Sequence, residues 1–138
     1  MIYTLRLQVF EVLTLALGII VVMRKSHAPP SDDSKVEPPS AIARKALTNT
    51  VEQLLLCVIC QGALATYLDE ATMKLIPLLV TLFVFGRVTF YVGYLGAPPT
   101  RRAYGFAATY FPTVVTMFCC VYYAVARGPG YGLGGRGD

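Results

Sequence analysis

Residues 75–97 read LIPLLVTLFVFGRVTFYVGYLGA, an apolar run with one charge, Arg87, near its middle. At 1.5 Å per residue a helix of this length covers about 35 Å, enough to cross the ~30 Å hydrocarbon core of a bilayer. Residues 103–126, AYGFAATYFPTVVTMFCCVYYAVA, have no charge at all and reach the same length. Residues 2–23, IYTLRLQVFEVLTLALGIIVVM, qualify if Arg6 and Glu11 are tolerated. Residues 54–68, LLLCVICQGALATYL, span a membrane only if their helix begins upstream, at Thr50 or before.

These four stretches predict an all-α, four-helix transmembrane bundle. The helices are expected at about 2–23, 41–68, 75–97 and 103–126, within a single domain of residues 1–126. Composition agrees. The 138-residue chain is 55% hydrophobic and 14% charged, against about 25% charged in an average soluble domain. Mean hydropathy is +0.56. A cleaved signal peptide is the rival reading of the first stretch, but Glu11 precedes its apolar core and no small-residue cleavage pattern follows. A retained helix is expected.

The connections carry the charge. Residues 26–40, SHAPPSDDSKVEPPS, cannot bury an apolar face and are expected to be a mobile loop. YLDEATMK and GAPPTRR are short turns, and the first should make the second and third helices antiparallel neighbours. The tail, residues 127–138, is glycine-rich and expected to be disordered; its closing Arg-Gly-Asp is short enough to arise by chance. Pro112 falls inside the fourth helix, where a proline kinks the chain.

Net charge is +4. Arg24, Lys25, Lys35, Arg44, Lys45, Arg101 and Arg102 fall on one side of a four-span chain. Lys74, Arg127, Arg136 and Arg6 fall on the other. The positive-inside rule puts the richer side in the cytosol of a multi-pass protein, with both termini outside or in a lumen. The basic residues flank apolar helices and form no stripe with stacking aromatics, so nucleic acid is not an expected partner. The four cysteines, Cys57, Cys60, Cys119 and Cys120, all lie in apolar stretches. Cys57-x-x-Cys60 has redox spacing, but a redox pair needs an exposed thiol at a helix start, and buried packing is the simpler reading. His27 is the one histidine, so no metal site is expected.

Arg87 needs a partner, because an arginine at the bilayer centre costs about 2.5–3.5 kcal/mol on insertion scales. Glu52 on the second helix is the expected one. A structural ion pair and a polar ligand pocket both account for such a pair. Arg87, Tyr91 and Tyr94 fall at i, i+4 and i+7, one helix face, with Phe90 beside them. Lys45, Asn49 and Glu52 have the same spacing, provided the second helix already runs at residue 45. Asn49-x-x-Glu52 ahead of an apolar run also fits a capping box, which would start the helix at Asn49. A start at Ser40, after Pro38 and Pro39, is favoured here, because AIARKAL is good helical sequence.

The stretches RKALTNTVEQ and GRVTFYVGYLGAPPTRRAYGF together resemble the MAPEG family, the membrane-associated proteins of eicosanoid and glutathione metabolism. The resemblance covers nearly the whole chain. Asn49 and Glu52 match the family's Asn-x-x-Glu. Arg87, Gly93 and Tyr94 match its third-helix pattern, and Arg101 matches an arginine seven residues after that tyrosine. The wording NTVEQ, with the proline-rich loop, resembles the mattrin branch.

The resemblance implies a homotrimer in the endoplasmic reticulum or another endomembrane, with glutathione bound between neighbouring subunits. Arg24, Lys45, Asn49, Glu52, Arg87, Tyr94 and Arg101 would hold the tripeptide. Arg101 would be the catalytic group, stabilising the thiolate for attack on a lipophilic electrophile arriving from the membrane lipid. The chain departs from the pattern at Lys45, where arginine is usual, and at Leu47, Gln53 and Phe90. Lysine lacks the bidentate fork of arginine, and Phe90 cannot donate the hydrogen bond of the tyrosine or histidine it replaces. Two functions are therefore carried forward: a glutathione-dependent transferase or peroxidase, and a non-catalytic member that binds lipid or organises membrane.

Overall fold

The computed structural model describes residues 2–27, 38–96, 99–128 and 130, with the side chains of 39, 95, 96 and 99–102 outside that description. Most of the expected mobile loop and of the glycine-rich tail lies outside the described residues. Four helices account for nearly everything else: α1 (Ile2–Ser26), α2 (Pro39–Tyr67), α3 (Leu75–Gly96) and α4 (Pro99–Arg127). Each contains a stretch long and apolar enough to cross a membrane. The protein is a multi-pass integral membrane protein.

α2 starts where its sequence permits. Pro38 is the N-cap, in an extended conformation, and Pro39 occupies the first turn, where a missing N–H costs nothing. No side chain caps this end. Asn49 and Glu52 therefore lie inside the helix, a full two turns from its start, and do not form a capping box. The connection to α3 is closed by Asp69 and Thr72. The Asp69 carbonyl accepts from the Thr72 and Met73 amides at 3.1 and 2.9 Å, and the Thr72 hydroxyl accepts from the Asp69 amide at 3.1 Å.

α3 packs most extensively on α4, and α1 on α2; α2 and α3, although consecutive and joined by a short turn, have the smallest contact of the pairs that touch. Small residues set the close crossings. A Cβ at Gly105 of α4 would lie 2.5 Å from the Phe90 amide nitrogen and 2.6 Å from its Cα. Gly86 of α3 presses on the Thr109 methyl in the same way. Across the bundle, Gly18 of α1 leaves room for the Tyr91 hydroxyl. Without water to drive association, helices in lipid adhere by such close packing and by polar contacts.

The bundle is inverted relative to a soluble one. Thr4, Gln8, Glu11, Thr50, Gln61, Arg87, Thr109 and Thr113 are buried, while Phe10, Ile59, Phe85, Phe111, Phe118 and Val125 are exposed. Lipid solvates the apolar exterior at no cost, and the polar side chains find one another inside. α1 shows the pattern most simply: its buried residues are Thr4, Gln8, Glu11, Thr14 and Gly18, a polar stripe with no large apolar member.

Candidate functional site

Arg87 is fully buried at the junction of α2, α3 and α4. One terminal nitrogen, Nη1, donates to Asn49 Oδ1 at 3.0 Å and to Thr50 Oγ1 at 3.4 Å. The other, Nη2, donates to Thr109 Oγ1 at 2.5 Å. Both threonines can accept because their own protons are committed elsewhere. Thr50 donates to the Ala46 carbonyl and Thr109 to the Phe106 carbonyl, each at 2.9 Å. Tyr91 adds a hydrogen bond to Thr50 Oγ1 at 2.8 Å. The guanidinium also lies 5.1 Å from the Phe90 ring centre and 5.5 Å from that of Phe83, within the range of attraction between a cation and an aromatic face.

Glu52 is not the partner of Arg87, contrary to the expectation from sequence. It is exposed on the outer surface of α2, and no ion pair joins it to Arg87 among the described residues. The reason is rotational. Residues two apart on a helix point about 200° apart. Thr50 faces the interior, so Glu52 faces out. Asn49 stands at the boundary, half-buried, with its amide oxygen turned to Arg87.

The other residues of the expected site divide between inside and outside. Lys45 is exposed, one turn before Asn49, on the same line as Glu52. Arg24 is exposed in the last turn of α1. Tyr94 is half-buried and packs on Phe90, with ring centres 5.4 Å apart. Arg101 falls in the first turn of α4, and its side chain lies outside the described ones. The structure thus joins Asn49 to Arg87 within one chain, while Lys45 and Glu52 look outward from it.

A second polar cluster was not foreseen from the sequence. Glu11 is fully buried. Its Oε1 accepts from Gln61 Nε2 at 2.7 Å and from the Cys57 thiol at 3.6 Å. Gln8 donates to the Val58 carbonyl at 3.2 Å and to Gln61 Oε1 at 3.4 Å. The signal was present: Thr4, Gln8, Glu11 and Thr14 follow a helical repeat, and reading Glu11 only as an interruption missed it. Hydrogen bonds inside membranes average about 0.6 kcal/mol and rarely exceed about 1.7. A double-mutant cycle on Glu11→Ala and Gln61→Ala, read by unfolding in detergent, is expected to give a coupling of about 1 kcal/mol.

Between the two clusters lies a cavity of about 10 Å³ lined by Cys57, Gln61, Thr109, Thr113 and Thr116. That is room for one water molecule at most. Among the described residues, this space is too small for a substrate. The cysteine pair is part of the packing: Cys57 and Cys60 are free and buried.

Four membrane-spanning helices around a buried arginine, with a carboxylate and an ammonium on the outer line of α2, define a polar-cored membrane bundle. Comparison with known proteins gives its family. The MAPEG family model matches residues 1–122, and the chain belongs to the MAPEG family. Similar proteins include transmembrane protein 79 of Mus musculus, 28% identical over 127 residues, covering 89% of this chain and 32% of that protein. Transmembrane protein 79 of Bos taurus is also 28% identical, with 89% of this chain and 31% of the relative covered. The chain thus spans about a third of the length of these relatives. No solved structure matches.

Proposed function

We propose that copies of this chain associate, as a homotrimer, along the outer line of α2, and that glutathione binds at the contact for transfer to a lipophilic electrophile. The observation that carries this is Glu52. It is exposed midway along a membrane-spanning helix, among the apolar outward neighbours Val51, Leu55, Leu56 and Ile59. An ionised side chain at the centre of a spanning helix costs about 2.5–3.5 kcal/mol on insertion scales. A second copy laid over α2 removes Glu52 from lipid and makes a cleft with Lys45 one end and Glu52 the other.

The chemistry of that line suits glutathione, which carries two carboxylates and one ammonium. Lys45 and Arg24 offer cations and Glu52 an anion. Tyr94 and Asn49 border the same region, and Arg101 is the group proposed to stabilise the thiolate, the nucleophilic form of the thiol. Arg87 does not fit a direct contact, because it is sealed among Asn49, Thr50 and Thr109. Its role in this reading is to hold Asn49 and to lock α2 against α3 and α4. The basic connections lie in the cytosol and the protein resides in the endoplasmic reticulum or another endomembrane.

Two features favour a second reading, a non-catalytic member in lipid binding or membrane organisation. Arg87 is committed internally, and Phe90 is buried and apolar where a hydrogen-bonding side chain would serve a ligand. Turnover separates the two. Purified protein in detergent, given glutathione and a generic aromatic electrophile, is expected to form the conjugate, and Arg101→Ala is expected to reduce the rate by 100-fold or so, about the loss of one electrostatic stabiliser. Binding of glutathione without turnover supports the second reading.

A further inference from the structure

A groove of about 460 Å³ runs between α1 and α3, lined by Leu7 and Phe10 on one side and by Pro77, Thr81, Val84 and Val88 on the other. Its volume is in the range of ordinary ligand pockets. From Pro77 to Val88 it covers about 16 Å of helix, close to half of the ~30 Å hydrocarbon core. That is the depth of one leaflet, and so the reach of one acyl chain. The floor is well formed: Leu7 and Val84 pack on the buried cluster of Ala65, Ile76 and Val80.

Charge stands at one end of it. α1 and α3 are alternate spans of the same chain and run parallel, so their N-terminal ends share a membrane face. Arg6 precedes Leu7 and lies one turn before Phe10, and Lys74 directly precedes α3. Both are exposed, as are Asp69 and Glu70 on the connection ahead of Lys74, and no ion pair involves either cation among the described residues. Two cations at the mouth of an apolar slot match a phosphate above an acyl chain. A second apolar helix laid in the slot would leave both charges unmatched.

We infer that the α1–α3 groove is a site for one anionic phospholipid, its phosphate held by Arg6 and Lys74 and one acyl chain lying along Pro77–Val88. The site is separate from the α2 line and does not depend on glutathione binding. Native mass spectrometry on protein exchanged into equal amounts of phosphatidylglycerol and phosphatidylcholine with identical chains tests it. Phosphatidylglycerol is expected to be retained in about tenfold preference, from two cations near the headgroup. The doubly substituted Arg6→Gln, Lys74→Gln protein is expected to lose that preference, and Val88→Trp, which fills the slot from an exposed position, to lose retention of both lipids. Equal retention of the two lipids by the unsubstituted protein overturns the inference. So does a preference that survives the double substitution, or cross-linking of two copies through Phe85→Cys at the groove wall.

Discussion

Gly105→Ala lowers stability by about 2–3 kcal/mol, measured by unfolding of the purified protein in mixed micelles. The added methyl would sit 2.5 Å from the Phe90 amide nitrogen, 2.6 Å from its Cα and 2.8 Å from its Cβ. Two of these atoms are backbone, so no rotamer change can make room. α4 must move away from α3, and this is the most extensive helix pair in the bundle. Overpacking of a filled interface typically costs 1–3 kcal/mol. The loss should fall at the high end here, because the Thr109–Arg87 hydrogen bond is one turn away on the same face. Gly62→Ala is the control. Nothing lies within 4 Å of a Cβ there, and alanine is the better helix former by about 1 kcal/mol. Stability should hold or rise. Equal losses at the two glycines would refute the close α3–α4 crossing.

Arg87 gives the second large effect, and the order of two substitutions is its test. Arg87→Lys keeps the charge but not the fork. An ammonium is a compact donor and cannot reach Asn49 on α2 and Thr109 on α4 together. At the upper end of the range for hydrogen bonds inside a membrane, about 1.7 kcal/mol each, losing two of them costs about 3 kcal/mol. Arg87→Met removes the charge as well. It leaves the Asn49 amide oxygen without a donor, a loss of about 1 kcal/mol, while relieving the burial of an unpaired cation. Thr50 and Thr109 keep their bonds to helix carbonyls in either variant. The less similar residue is therefore expected to be the better tolerated one in the same unfolding assay. Lysine outperforming methionine would mean that Arg87 has an anionic partner after all.

The fold was legible because its signal is additive over long runs. Twenty or more apolar residues in succession admit few readings, and one or two charges do not erase them. The start of α2 was also readable, from Pro38-Pro39 and the helix-forming AIARKAL that follows. What the sequence could not supply was rotation. Whether Glu52 meets Arg87 depends on which side of α2 turns inward, and that is set by Ala46, Thr50 and Cys57 packing against the other helices. Spacing put Lys45, Asn49 and Glu52 on one line correctly, yet could not say that the line runs along the edge of the buried face. Glu11 was hidden for a related reason. Seen alone it interrupts an apolar run, and only with Thr4, Gln8 and Thr14 does it become a buried stripe facing Gln61.

The polar line of α2 now has a more definite meaning. Asn49 belongs to the interior through Arg87, and Lys45 and Glu52 belong to whatever lies outside it. On the proposed reading, a neighbouring copy with a zwitterionic ligand at the contact would take Glu52 out of lipid and place the ligand's ammonium group against that carboxylate. Calorimetric titration of glutathione into the detergent-purified protein, beside Glu52→Gln, tests this most directly. Saturable heat in the millimolar range or below for the unsubstituted protein, and none for the variant, is the outcome expected. No binding at millimolar glutathione, or binding that Glu52→Gln leaves intact, would contradict it.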